Sequence, residues 1–253
     1  MEFEYVTNPQ FSSWDKKYVT CYALVNPLSS ETEIVYPEGD YDEVDVMNTN
    51  DFARFTSNIK RIVIPEGVRH IASTAFVGFD GLKEVILPST IEWIGDMAFR
   101  RCESLESIVL PDNLEVIGHY CFAHCYALRE INIPVSVKFI GGCAFLETKL
   151  RKSGFFKGTD DDMTCRDFQY ELGKSYHEDD IEMCGKGFHY VTNAFAVLNY
   201  YYGTIGDGSR FFDVEPSGEI LEDELDIKNC CSDIRLVREY ESYAELLGCE
   251  SGF

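Results

Sequence analysis

Leu82-Lys83-Glu84-Val85-Ile86-Leu87-Pro88-Ser89-Thr90-Ile91-Glu92-Trp93-Ile94-Gly95-Asp96-Met97-Ala98-Phe99-Arg100-Arg101-Cys102-Glu103-Ser104 is one period of a pattern that runs four times without insertion. The units begin at Ile59, Leu82, Leu105 and Leu128, each 23 residues after the last. Three further columns keep the same phase: Pro65, Pro88, Pro111 and Pro134; Ile71, Ile94, Ile117 and Ile140; Phe76, Phe99, Phe122 and Phe145. Strict phase over several columns is the signature of a stacked repeat, in which one unit cannot bury its apolar face alone but neighbours can.

Within a unit, the alternating run Leu82–Leu87 ends at a proline, which has no N–H to give to a continuing ladder. This predicts one strand per repeat. The second half, Ile94-Gly95-Asp96-Met97-Ala98-Phe99, is too short for a full helix and predicts a turn or a single helical coil, with the phenylalanines stacked as a buried spine. Residues between the outer apolar positions of each strand face out. They pair as Arg61 and Val63, Glu84 and Ile86, Ser107 and Val109, Glu130 and Asn132. Val63, Ile86 and Val109 are expected to form an apolar strip, bordered by the charged and polar members, as a surface for a protein partner. Cys102 and Cys125 share one column and Cys121 stands where other units carry alanine, so all three are assigned to packing. His70, His119 and His124 fall at variable positions and are read as surface or edge residues.

The sequence Leu-x-x-Ile-x-Leu-Pro, then Ile-Gly, then Ala-Phe, resembles the BspA-type leucine-rich repeat over residues 59–150. The resemblance implies a parallel-stranded arc used for binding, with no catalytic residues. Ahead of it, Ile34-Val35-Tyr36-Pro37-Glu38-Gly39 echoes Ile62-Val63-Ile64-Pro65-Glu66-Gly67 at a spacing of 28. Residues 1–58 are therefore read as a capping region with a degenerate repeat, on which Phe3, Tyr5, Phe11, Trp14 and Tyr18 are expected to pack.

From Arg151 the period stops and the composition turns acidic and aromatic, marking a second domain over 151–253, so that the fold class is α+β: a short solenoid with an N-terminal cap and a small C-terminal domain. A hairpin around Phe168–Tyr176, a helix near Asn193–Tyr201 and strands over Arg210–Glu215 and Asp233–Arg238 are predicted. Residues 155–240 resemble an uncharacterised domain that recurs in bacteriophage proteins. The likeness is carried by Thr164-Cys165-Arg166-Asp167-Phe168-Gln169-Tyr170, Gly173-Lys174-Ser175-Tyr176, Cys184-Gly185-Lys186-Gly187-Phe188-His189, Asn199-Tyr200-Tyr201 and Phe211-Phe212-Asp213-Val214-Glu215. It implies a phage or prophage setting.

The whole chain carries 44 acidic against 22 basic residues, net −22, which argues against nucleic acid as a partner. By segment the net charge is −8 over 1–58, −2 over 59–150 and −12 over 151–253. The last segment concentrates acid in Asp160-Asp161-Asp162, Glu178-Asp179-Asp180 and Glu222-Asp223-Glu224-Leu225-Asp226, read as an acidic patch for a partner with a basic surface or as solvated loops. Ten cysteines in 253 residues, none in a Cys-x-x-Cys pair, fit a reduced thiol population. Cys165, His177, Cys184 and His189 match no zinc spacing, so no metal and no cofactor are expected. The acidic start Met1-Glu2-Phe3-Glu4-Tyr5 and the lack of a long apolar run give no secretory or membrane signal, so a cytoplasmic location is expected, that of the host if the protein is phage-encoded.

The leading reading is a non-enzymatic, phage-related protein that engages a host protein, with inhibition of a nucleic-acid-binding defence enzyme as one possibility. The alternative is an enzyme acting on NAD. Lys157-Gly158, Gly187-Phe188-His189-Tyr190 and Glu239-Tyr240-Glu241 distantly resemble the order of elements in ADP-ribosyltransferases, implying Lys157, His189, Glu239 and Glu241 as site residues. Lys157 stands where that family has Arg or His, and the glutamate pair falls past its expected strand. A phage structural or adhesion protein is the third reading.

Overall fold

The computed structural model describes residues 4–11, 17–24, 33–39, 43–47, 56–165, 168–183, 185–205, 208–223 and 228–248. They divide into two compact units: residues 1–137 with 143–150, and residues 138–142 with 151–253.

The first unit is a β-solenoid of about four turns. Each turn carries two short strands rather than the single one expected. Glu33–Val35, Arg61–Val63 and Glu84–Ile86 pair in parallel, with Ile34, Ile62 and Val85 in register and buried. A second sheet runs through Glu43–Met47, His70–Ile71, Trp93–Ile94 and Val116–Ile117, also parallel. The second strand escapes a reading by alternation because it is only two residues long, as in Trp93–Ile94, where one residue faces out and one faces in. The same sheet extends through Lys17–Leu24, parallel to Glu43–Met47, to Glu4–Phe11, antiparallel to it. The echo at Ile34 is thus a true coil: its strand is hydrogen-bonded in register, and Tyr36 packs edge-on against Phe76, ring centres 6.4 Å apart. The side chains of Phe3, Tyr5, Phe11, Trp14 and Tyr18 lie outside the described residues.

The remainder of each turn, such as Gly95–Cys102, is a chain of tight turns rather than a helix. Main-chain bonds such as Phe76 N to Ala98 O and Phe99 N to Cys121 O tie neighbouring coils, satisfying groups that a helix would bond internally. The backbone enters the left-handed region at Thr74, Met97, Tyr120 and Cys143 in one column, and at Gly78, Arg101, His124 and Glu147 in another. The Ile-Gly motif has a steric origin: a Cβ on Gly95 would sit 2.5 Å from Ser73 N, and one on Gly118 would sit 2.5 Å from Asp96 N. Inside, Phe76, Phe99, Phe122 and Phe145 form the expected spine, with successive centroids 5.3, 5.4 and 5.8 Å apart. Cys102, Cys121 and Cys125 are fully buried; the thiols of Cys102 and Cys125 donate to Phe76 O and Phe99 O, and burial pushes the Cys102 and Cys121 thiols well up.

In the second unit, four strands close on one another. Ser153–Thr159 pairs with Phe188–Asn193 and with Gly208–Leu221, and Asn229–Tyr240 pairs with both of those, all antiparallel. Ser175–His177 flanks Asn229–Tyr240, and Phe139–Ile140 pairs with Gly203–Ile205. Both predicted strands fall inside longer ones, whereas the predicted helix is the four-residue Ala194–Val197. The hairpin expected at Phe168–Tyr176 is displaced: Phe168–Gln169 pairs back with Thr164–Cys165. Asp162 decides this, its carboxylate accepting from Thr164 N at 2.9 Å and Thr164 Oγ1 at 2.6 Å, beside a left-handed Met163.

Candidate functional site

The outward row of the solenoid is Val35, Val63, Ile86 and Val109, one coil longer than the repeat period alone indicates. Ile86 and Val109 are 38% and 76% exposed, and Val63 is half-buried. Arg61 bridges Glu33 and, at 2.8 Å, Glu84, so the charges beside the row are paired across coils. The sheet is not continuous. Glu84–Ile86 is the last strand of a three-stranded sheet, and among the described residues Ser107–Ile108 pairs only with Glu130–Ile131. Here a groove of about 800 Å³ opens, with Lys83, Glu84, Ile86, Ser107, Val109 and Asn132 in its lining.

Asn132 differs from the role expected of it. Its Oδ1 accepts from Leu110 N at 2.7 Å and its Nδ2 donates to Leu110 O at 2.8 Å, so its amide stands in for a strand neighbour. Such a group is spent within the fold and has little to offer a partner. Glu130 and Ser107 are exposed. Of the three histidines assigned to the surface, His70 is buried, edge-on to Trp93 at 6.1 Å, because its position is the outward one of the second sheet, under the indole. His119 is half-buried and His124 pairs with Glu147 at 2.9 Å.

In the second unit, Lys157 and His189 come together. Lys157 is 3% exposed, and its Nζ donates to His189 O at 3.0 Å and lies 4.8 Å from the Tyr170 ring centre. Burial pushes its ammonium pKa down, opposed in part by Cys165. Both residues line a cavity of about 290 Å³ whose wall includes Cys165, Tyr200 and Tyr201. Gly158 permits that wall, since a Cβ there would meet the Tyr201 ring at 2.3 Å. The two glutamates are elsewhere. Register places Lys157, Phe212 and Glu239 in one row across three strands, roughly 10 Å from end to end. The Glu239 carboxylate is held by Arg210 through two bonds of 2.6 Å. Glu241 is exposed, and its N–H donates to the carboxylate of Glu245, whose own N–H donates to the N-cap Ser242 Oγ. No carboxylate of this pair lines the cavity.

The acidic runs are largely built into turns. Asp162 caps the hairpin described above, which lowers its pKa, and Asp161 Oδ1 accepts from Asp162 N. Asp179 and Asp233 flank His177 at 3.1 and 2.8 Å, and Asp180 pairs with Lys186 at 3.4 Å. Asp160, Glu178 and Glu222 are exposed and Asp223 is half-buried, while Glu224 and Asp226 lie outside the described residues. Among the described residues no group of three His, Cys, Asp or Glu is placed to hold a metal, and no helix is long and apolar enough to cross a membrane.

Residues 46–161 match the BspA type leucine rich repeat region in six copies, and residues 154–247 match a domain of unknown function, DUF7666. No curated protein matches the chain. Among solved structures, the leucine rich repeat protein of T. pallidum is 31% identical, with 59% of this chain covering 66% of that one at a TM-score of 0.47. A leucine-rich repeat protein from Bacteroides ovatus is 27% identical, covering 46% of this chain and 34% of that one at a TM-score of 0.37. For the pneumococcal vaccine antigen PcpA the identity is 20%, the coverage 58% and 46%, and the TM-score 0.42. The chain thus spans under two thirds of the length of each of these structures. Leucine-rich repeats of this type suggest a protein-binding module. Residues 46–161 are thus a BspA-type leucine-rich-repeat region, followed over residues 154–247 by a DUF7666 domain.

Proposed function

We propose that the chain is a non-enzymatic, phage-related protein-binding module that engages a host protein in the host cytoplasm, with the solenoid groove as the contact. The observation that carries this reading is the exposure of Ile86 and Val109 in the lining of one groove in an otherwise near-neutral repeat region. Apolar anchors in a concavity with a polar rim supply most of the energy of a protein contact. The acidic second unit repels nucleic acid and complements a basic partner surface, as an inhibitor of a nucleic-acid-binding defence enzyme requires. With Glu239 held by Arg210, and neither Glu239 nor Glu241 in the cavity lining, the ADP-ribosyltransferase reading lacks its glutamates at the cavity.

The test is capture of partners from host lysate by the wild-type chain, Ile86→Glu and Asp161→Lys, followed by affinity and rate measurements on the captured protein. Ile86→Glu is expected to weaken binding by more than about 1 kcal/mol with the fold intact, as for an interface anchor. Asp161→Lys is expected to change the association rate and its salt dependence. Normal binding by Ile86→Glu, with loss on charge reversal over 160–223, would move the working surface to the second unit.

A further inference from the structure

Lys157 poses a problem of charge. It is almost wholly buried, yet among the described residues no carboxylate pairs with it; the His189 carbonyl accepts from its ammonium at 3.0 Å, and the Cys165 sulfur beside it supports the charged form. Desolvating an ammonium costs several kcal/mol, and buried charges are ordinarily paired. The His189 carbonyl, the Cys165 sulfur and the Tyr170 ring face offset only part of that cost. The downward push on its pKa has the same origin.

The residue does not face a packed core alone. It lines two adjoining cavities of about 290 and 260 Å³, which share Lys157, Cys165 and His189. The larger is close to the lower end of the range for small-molecule sites, roughly 300–1,000 Å³. Four aromatic rings, Phe156, Tyr190, Tyr200 and Tyr201, form its apolar wall. Tyr201 is fixed there by its hydroxyl, which donates to Cys165 Sγ at 2.8 Å. A second ammonium, Lys228, lines the same cavity 5.3 Å from the Tyr200 ring centre, against one carboxylate, Asp160. In a segment of net charge −12, the wall of this cavity holds two lysines to one aspartate.

We propose that the cavity is a binding site for a small aromatic anion, a planar ring bearing one carboxylate or phosphate group, with Lys157 as its buried charge partner and the tyrosine rings as its stacking wall. A bound anion supplies the missing counter-charge in a low-dielectric site, where a charge-assisted hydrogen bond is strongest. The ring occupies the space between the aromatic side chains, and Lys228 contributes the second cation. The inference is independent of the partner of the solenoid groove.

The experiment uses the full chain with benzoate, phenyl phosphate and the neutral benzyl alcohol, followed by calorimetry and thermal unfolding. At least one anion is expected to bind at a single site and raise Tm, and benzyl alcohol to do neither; the preferred anion tells carboxylate from phosphate. Lys157→Met keeps the apolar length of the side chain and removes the charge. It is expected to unfold at a higher temperature than the unliganded wild type and to bind the anion at least about tenfold more weakly, the loss of one charge-assisted hydrogen bond. Lys228→Met, at a partly exposed position, is expected to weaken binding severalfold and gives the answer if Lys157→Met fails to fold. Absence of binding by either anion up to about 10 mM, equal binding of benzyl alcohol, or unchanged anion affinity in the variants would overturn the proposal. So would a lowered Tm in Lys157→Met with anion binding intact, which would give Lys157 a structural role alone.

Discussion

Replacing Phe99 or Phe122 by alanine empties an interior step of the aromatic stack. Both rings have no exposed surface, and each has a neighbour on both sides at 5.3 to 5.8 Å. Loss of a buried phenylalanine costs about 3 to 5 kcal/mol, counting transfer and the cavity left behind. Each lost ring pair contributes about 0.5 to 1.5 kcal/mol beyond area, and an interior ring has two. The upper half of the range is therefore expected, because the main-chain bonds joining coils at Ala98, Phe99 and Cys121 hold the backbone where it is and resist collapse into the void. Phe145, stacked on one neighbour only within the spine and 4% exposed, should lose less. Urea unfolding followed by tryptophan fluorescence and circular dichroism measures the difference at an unchanged m-value. Losses below about 1 kcal/mol for both interior variants would refute a packed spine, since that is the scale of an ordinary surface substitution.

Gly78→Ala is expected to destabilise the protein by about 1 kcal/mol through its left-handed backbone, with open space around the new methyl, and Arg101→Gly in the same column to be neutral or stabilising. Gly95→Ala should cost more than Gly78→Ala, because its Cβ would meet main chain of the preceding coil; equal midpoints in thermal unfolding would contradict this. His177 should titrate above its ordinary value in an NMR pH series, raised first by Asp233 and then by Asp179, and fall back in Asp233→Asn. With the folded-state pKa raised, the stabilisation is fully present below the unfolded pKa and is lost as pH rises through the folded one. An unshifted His177 would mean that the two carboxylates do not hold it.

The repeat was legible because it is a one-dimensional problem. Columns such as Leu82/Leu105/Leu128 and Phe99/Phe122 recur at one spacing, and each coil contacts only its neighbours, so period and side-chain type together give the stack, the buried thiols and the outward row. The second strand of each turn was not legible, since two residues such as Trp93–Ile94 are too few to show an alternation, and their pairing is made by the adjacent coils. Only the tertiary structure interrupted the first sheet beyond Ile86 and turned Asn132 inward onto Leu110, because a side-chain amide and a peptide group offer the same donor and acceptor. The cavity belongs wholly to the tertiary level. Lys157, Cys165, His189 and Lys228 are scattered over 72 residues with no motif spacing among them, and they meet because four antiparallel strands close on one another. Composition announced the acidity of that segment, but not that its buried lysine would be left facing a cavity, since burial and counter-charge are properties of neighbours that only folding brings together.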